Sequence, residues 1–142
     1  MSLPKLLVDT SAWVAMTDSR DSYHASAVAF NQEIARKVTL VVSDYILDET
    51  YTLLLNNTGY EVTVKFKQKL DVLIQQGVVE LIWITPAIAK QTWEIFEQFN
   101  RDKQWSFTDC TSYVVMNNHG ITEVFTFDHH FSQMGFNRQP RK

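Results

Sequence analysis

The sequence predicts an α/β fold in three layers, with a mainly parallel four- or five-stranded sheet flanked by helices. Three observations carry that prediction. Short apolar runs without polar alternation, as in strands buried on both faces, recur along the chain. Amphipathic stretches of helical period separate them. Single Gly and Pro residues punctuate the junctions and form no linker. At 142 residues, 45% hydrophobic and 20% charged, the chain has the makings of one ordinary domain.

The run KLLVD (5–9) opens the sheet as an apolar strand that stops at Asp9. Helical patterning follows in DSYHASAVAFNQEIAR (21–36), with Asp21 or Ser22 as the N-cap. TLVVS (39–43) reads as the second strand and DYILDETYTLLLNN (44–57) as a helix with an apolar stripe. The next helix, YEVTVKFKQKLDVLIQQ (60–76), is stopped by Gly77. VVELIWI (78–84) is the third strand, and Pro86 suits the first turn of the helix PAIAKQTWEIFEQFNR (86–101). SFTDCTSYVVMNNH (106–119), ended by Gly120, is a helix that leads into the fourth strand, TEVFTF (122–127). DHHFSQMGF (128–136) gives a short helical turn with Phe131 as a core anchor, then a small last strand. The domain is expected to span 1–137, and 138–142 to form a basic, mobile tail.

Charge and cysteine content narrow the function classes. A net charge of −3 argues against a basic protein that grips nucleic acid by counterion release alone, yet leaves room for a nuclease whose metal ions offset an acidic site. Cys110 is the single cysteine, which excludes an internal disulfide and a Cys-rich zinc centre and makes the cytoplasm the expected compartment. No run approaches the ~18 apolar residues of a membrane span, so no membrane partner is expected.

Four carboxylates stand where ligands gather in parallel sheets, outside the carboxyl ends of the strands. Asp9 ends the first strand and Asp128 the fourth, Asp109 lies in the first turn of the helix entering the fourth strand, and Glu49 lies about one turn into the helix leaving the second. Each of the three aspartates also has a purely structural reading. Asp9 and Asp128 are good N-caps, and SFTD is a capping box that would satisfy a helix end through Asp109. Glu49 resists that explanation. On a helical wheel it borders the apolar stripe of Ile46, Leu47, Leu53 and Leu54, where an unpaired carboxylate is costly, whereas Asp48 faces away. Carboxylates brought together repel one another, and a hard divalent cation, Mg²⁺ or Mn²⁺, removes that conflict. Thr10, Ser11 and Thr126 are candidates to orient the carboxylates by hydrogen bonds.

The ordered set LLVDTSAW, SDYILDE, SFTDC and TFDHHF resembles the PIN-domain ribonucleases, in particular the VapC-like toxins of type II toxin–antitoxin pairs, over about residues 6–136. The resemblance implies that Asp9, Glu49, Asp109 and Asp128 are the catalytic metal ligands. It places the hydroxyl after the first aspartate on Thr10 or on Ser11, and the one before the last aspartate on Thr126. It also implies a Mg²⁺- or Mn²⁺-dependent endoribonuclease in which a metal-activated water attacks the phosphodiester in line, leaving a 5′-phosphate and a 3′-hydroxyl. A protein antitoxin and a homodimer are expectations from the same resemblance. A PIN nuclease of RNA processing or decay, without an antitoxin, is the alternative within the class.

Other features bear on RNA contact. Arg101 and Lys103, in the connector before Asp109, and Arg138, Arg141 and Lys142 in the tail are candidates to guide a backbone. Lys65, Lys67 and Lys69 do not share one helix face and read as solvated surface. Trp105 is the connector aromatic with a claim to stack on a base, whereas Trp93, Phe96 and Phe99 read first as a packing face. His129 and His130 read as surface or groove residues rather than metal ligands, with His129 a candidate phosphate contact. Two other classes share the pattern in part. A receiver-like Mg²⁺-binding signalling domain also clusters acids at a sheet edge, but would want a Lys at the end of a late strand, and FTFDHH has none. An inactive interaction module would not need the complete acidic set.

Overall fold

The computed structural model describes residues 2–141. Its elements, in chain order, are β1 (Lys5–Val8), α1 (Thr10–Thr17), α2 (His24–Ile34), β2 (Thr39–Ser43), α3 (Asp44–Thr58), α4 (Tyr60–Gln75), β3 (Val79–Ile82), α5 (Pro86–Phe99), α6 (Phe107–His119), β4 (Glu123–Phe125), α7 (His130–Gln133) and β5 (Asn137–Gln139). The five strands pair in the order β3-β2-β1-β4-β5, all parallel. The apolar runs that predict the strands form the middle of the core: Leu7, Val8, Val41, Val42, Val124 and Phe125 are fully buried. The helices cover the sheet through Ile46 and Leu54 of α3, Leu70 of α4, Val115 and Met116 of α6, and the fully buried Phe131 of α7.

Most helix ends follow the residues that predict them. Ser43 caps α3 by accepting from Ile46 N–H at 3.1 Å, and Thr85 caps α5 from Ile88 N–H at 3.2 Å, with Pro86 next to it. Gly120 ends α6 in the left-handed region at φ 65°, where it satisfies the last carbonyls. The chain departs from expectation in three places. Residues 10–17 form the helix α1, which the strand-to-helix pattern of the sequence leaves unmarked. Helix α2 starts after Tyr23, and Asp21 closes the preceding turn by accepting from Tyr23 N–H at 2.8 Å. Arg138 and Gln139, expected in a mobile tail, pair with β4 as part of β5. Lys142 lies outside the described residues. Among the described residues, no helix is long and apolar enough to cross a membrane.

Strand order matters for function. The sheet grows from β1 in both directions, to β2 on one side and β4 on the other. In doubly wound sheets the crevice outside the carboxyl ends of two such strands is the usual ligand site. Asp9 follows β1, and Thr126–Asp128 follow β4, so both segments open onto that crevice.

Candidate active site

Asp9 is held by the two strands that meet at the crevice. Its backbone N–H donates to Phe125 O at 3.0 Å, tying the end of β1 to β4. Its side chain caps α1, with Oδ2 accepting from Ser11 N–H at 3.4 Å. The same oxygen accepts from Ser11 Oγ at 3.1 Å and from Thr126 Oγ1 at 3.0 Å. Both hydroxyls in turn accept backbone protons from the loop after β4, Ser11 from Phe127 N–H and Thr126 from Asp128 N–H, each at 2.9 Å. Each hydroxyl thus spends its one proton on Asp9 and its lone pair on the loop that carries Asp128. Capping and site-building share one carboxylate.

Asp109 and Asp128 are fixed in the same manner. Ser106 and Asp109 form a complete capping box at the start of α6, Asp109 Oδ2 accepting from Ser106 N–H at 3.2 Å. That oxygen also meets His130 Nδ1 at 3.0 Å. Asp128 Oδ1 accepts from His130 N–H at 2.9 Å and lies 3.4 Å from His130 Nδ1. One ligand atom from each of Asp109, Asp128 and His130 falls within a mutual distance of 4.8 Å, compact enough for a metal ion.

The electrostatics mark these carboxylates as an unfinished set. Burial and the neighbouring Asp109 charge push the Asp9 carboxyl up to about 7, against the pull of the donors Thr126, Thr10 N–H and Ser11. Asp109 is raised by burial and by the Asp128 charge, opposed by the hydrogen bonds from His130 and Ser106. Asp9 is only 4% exposed and Asp109 7%. Each aspartate gives one oxygen to protein donors. Among the described residues, no donor reaches the other: Oδ1 of Asp9, Oδ1 of Asp109 and Oδ2 of Asp128. Hard anionic oxygens free of protein donors suit a divalent cation; the compact group of ligand atoms is that of Asp109, Asp128 and His130, and Asp9 stands outside it, coupled to Asp109 through charge.

A model of the PIN domain matches residues 6–137. The chain belongs to the PIN-domain family. Two relatives are VapC proteins. The chain is 30% identical over 131 residues to the 23S rRNA-specific endonuclease VapC20 of Mycobacterium tuberculosis, covering 92% of this chain and 95% of that one. It is 26% identical to a VapC ribonuclease of Archaeoglobus fulgidus, covering 89% of this chain and 78% of that one. The crystal structure of VapC20, described as a Sarcin-Ricin loop cleaving toxin, superposes with a TM-score of 0.80 at 30% identity over 92% of this chain and 95% of that one. VapBC2 from Rickettsia felis, bound to a promoter DNA fragment, shares the fold at a TM-score of 0.66 and 14% identity, over 95% of this chain and 97% of that one.

In this PIN domain the remaining sequence-predicted residues divide sharply. Ser11, not Thr10, is the hydroxyl on Asp9; Thr10 is buried and its Oγ1 turns toward Ile46 O of α3 at 3.5 Å. Glu49 is half-buried and, among the described residues, makes no ion pair or side-chain hydrogen bond, so the contacts among the aspartates do not include it. It lies one turn beyond Tyr45, whose ring stands 6.1 Å from Phe107 of α6, and therefore on the face of α3 that meets the start of α6. Trp105 is no base-stacking platform. It is 3% exposed, packed among Phe99 and Tyr113, and its Nε1–H donates to Gln133 Oε1 at 2.8 Å. Asn100 clamps the connector by bonding both N–H and C=O of Trp105 at 2.9 Å. Arg101 and His129 are exposed, and Lys103 pairs with Asp102 at 3.2 Å. His130, read from the sequence as a surface or groove residue, is the member of the Asp-His-His run that turns inward onto two site carboxylates. The run itself was the available signal.

Ser11→Ala removes one of the two hydroxyl donors to Asp9 together with the acceptor for Phe127 N–H. It is expected to weaken Mn²⁺ binding, measured by calorimetric titration, by about 10–100-fold, as loss of a ligand-orienting partner does. Thr10→Ala, which leaves Asp9 untouched, should change that affinity by less than about threefold.

Proposed function

We propose that this chain is a divalent-cation-dependent endoribonuclease of the VapC type, acting in the cytoplasm as the toxin of a toxin–antitoxin pair. The observation that carries the reading is the division of labour within each aspartate, one oxygen bound to the protein and the other left without a protein donor. Asp9, Asp109 and Asp128 are the proposed ligands of Mg²⁺ or Mn²⁺, with Glu49 as a fourth acid from the facing helix. The bound cation supplies Lewis acidity, which polarises a phosphate and lowers the pKa of a water. The chain's own residues do the positioning. Ser11 and Thr126 fix the rotamer of Asp9, His130 and the Ser106 N–H fix Asp109, and the backbone of the turn at His130 fixes Asp128. Lone carboxylates would repel an incoming RNA phosphate, so substrate entry and cation binding are coupled at this edge.

The VapC relatives support RNA as substrate and a protein antitoxin as partner, and ribosomal RNA is the first substrate to test, given the specificity in the name of VapC20. Self-association into a homodimer belongs to the same proposal, on family likeness. The purified chain, incubated with end-labelled RNA, is expected to cleave it with Mg²⁺ or Mn²⁺ and to stop cleaving in excess EDTA. Cleavage that persists in EDTA overturns the mechanism. Stable binding of an acyl-phosphate mimic to one aspartate, without cleavage, would favour a receiver-like function.

A further inference from the structure

Beside the carboxylates, at the carboxyl ends of β4 and β5, a pocket of about 400 Å³ opens, lined among others by Tyr23, Thr126, Phe127, Arg138, Pro140 and Arg141. That volume lies within the range of small-molecule sites, about 300–1,000 Å³. It shares one residue with the candidate active site, Thr126, whose hydroxyl donates to Asp9. We propose that this pocket seats one unpaired nucleotide of the RNA next to the scissile phosphate, its base stacked on Tyr23 and its backbone phosphate held by Arg138 and Arg141; this rests on the nuclease reading above.

Two independent features supply that chemistry. The first is a stair of aromatic rings from the core to the surface. Phe125 is fully buried, Phe127 stands edge-on to it at 6.2 Å, and Tyr23 stacks on Phe127 at 4.5 Å with an interplanar angle of 11°. Tyr23 is 51% exposed, so a base can extend the stack from outside. The backbone that carries the ring is tied down on both sides. Asp21 accepts from Tyr23 N–H at 2.8 Å, and the adjacent His24 Nδ1 lies 2.8 Å from Ala15 O. The second feature is unneutralised positive charge. Arg138 and Arg141, like Lys65 and Arg101, are in no ion pair among the described residues, and these two are the arginines that line the pocket. Arg138 Nε–H donates to Ser132 Oγ at 2.7 Å, which fixes the guanidinium plane and leaves its terminal amino groups for a phosphate. A ring stack plus a planar cation selects a splayed-out nucleotide, because a base paired in a duplex cannot offer its face to Tyr23.

The test uses the full chain and single-stranded RNA oligonucleotides that the wild type cleaves. Tyr23→Ala and Arg138→Gln are each expected to raise KM about tenfold with kcat within about twofold, the pattern of lost uniform binding. Arg138→Gln should also lower the salt dependence of binding by about one phosphate contact, measured by fluorescence anisotropy with Mg²⁺ in the cleavage-deficient Asp109→Asn background, and Arg138→Lys should restore that slope. Tyr23→Phe should retain wild-type KM. Pairing the oligonucleotide with its complement should abolish binding. Melting temperatures of all variants identify any that misfold, and Tyr23→Phe and Arg138→Lys then carry the comparison with wild type. Unchanged KM and salt slope in the folded Ala and Gln variants, with wild-type cleavage intact, overturns the pocket and leaves the nuclease reading standing. Failure of the wild type to cleave any RNA with Mg²⁺ or Mn²⁺ overturns both.

Discussion

Asp109→Asn should lower the rate of Mg²⁺-dependent RNA cleavage by at least about 10²–10³-fold, the scale of losing one electrostatic partner of a charged transition state. The substitution keeps the shape of the side chain. Asn Oδ1 can still accept from Ser106 N–H, so the capping box at the start of α6 survives. What disappears is a negative charge on a carboxylate that burial and Asp128 already disfavour. Stability should therefore hold or rise slightly, while catalysis collapses. Single-turnover cleavage together with a thermal melt separates the two effects. Activity within tenfold of wild type would remove Asp109 from the catalytic set.

The metal-free protein should lose stability as pH rises from about 4 to 8, in contrast to the acid sensitivity of proteins held by paired carboxylates. Asp9 sets the sign. Its carboxyl moves from 3.8 to about 7 on folding, so the folded state binds the proton more tightly than the unfolded one. Below 3.8 both states carry the proton and the folded state suffers no penalty. Between the two values stability falls, and above about 7 the whole cost of a buried anion is expressed, about 4 kcal/mol at roughly 1.4 per pH unit. Asp109, raised in the same direction, adds to the slope. Urea unfolding in EDTA at pH 5 and pH 8 measures the loss. Asp9→Asn should flatten most of it. Mg²⁺ at pH 8 should restore stability by mass action, about 2.7 kcal/mol at a hundred times the dissociation constant. Equal pH slopes for wild type and Asp9→Asn would place the cost elsewhere.

The sheet was legible because its strands are buried on both faces and so appear as uninterrupted apolar runs, KLLV, TLVV and EVF. The edge onto which Asp9 and Asp128 open was legible because position at a strand end fixes which edge a side chain reaches; the compact group of Asp109, Asp128 and His130, which leaves Asp9 outside and brings in a histidine, was not. Nor was side-chain direction within a single turn. Thr10 and Ser11 are neighbours, yet the start of α1 sends one to Ile46 and the other to Asp9. His129 and His130 are likewise parted by the start of α7, which leaves the first in solvent and turns the second onto Asp109. Trp105 misleads from sequence because a connector reads as exposed; the clamp by Asn100 is a local turn with no recognised pattern, and the bond to Gln133 comes from 28 residues away. Helix α1 is short and almost wholly apolar, so it offers no amphipathic period to read.

The Ser11 and Thr126 hydroxyls, 3.1 Å apart on Asp9, come from positions 115 residues apart, and this has a consequence for synthesis. A ribosome making this chain produces Asp9 and Glu49 early, but β4, Thr126, Asp128 and His130 emerge more than a hundred residues after Asp9 and more than seventy after Glu49. Until then Asp9 has no Thr126 to hold it and no Asp109 beside it. A nascent or interrupted chain that stops before residue 126 is therefore harmless to the translation machinery producing it. An RNA-cutting activity assembled this way is armed only when translation past that point is complete.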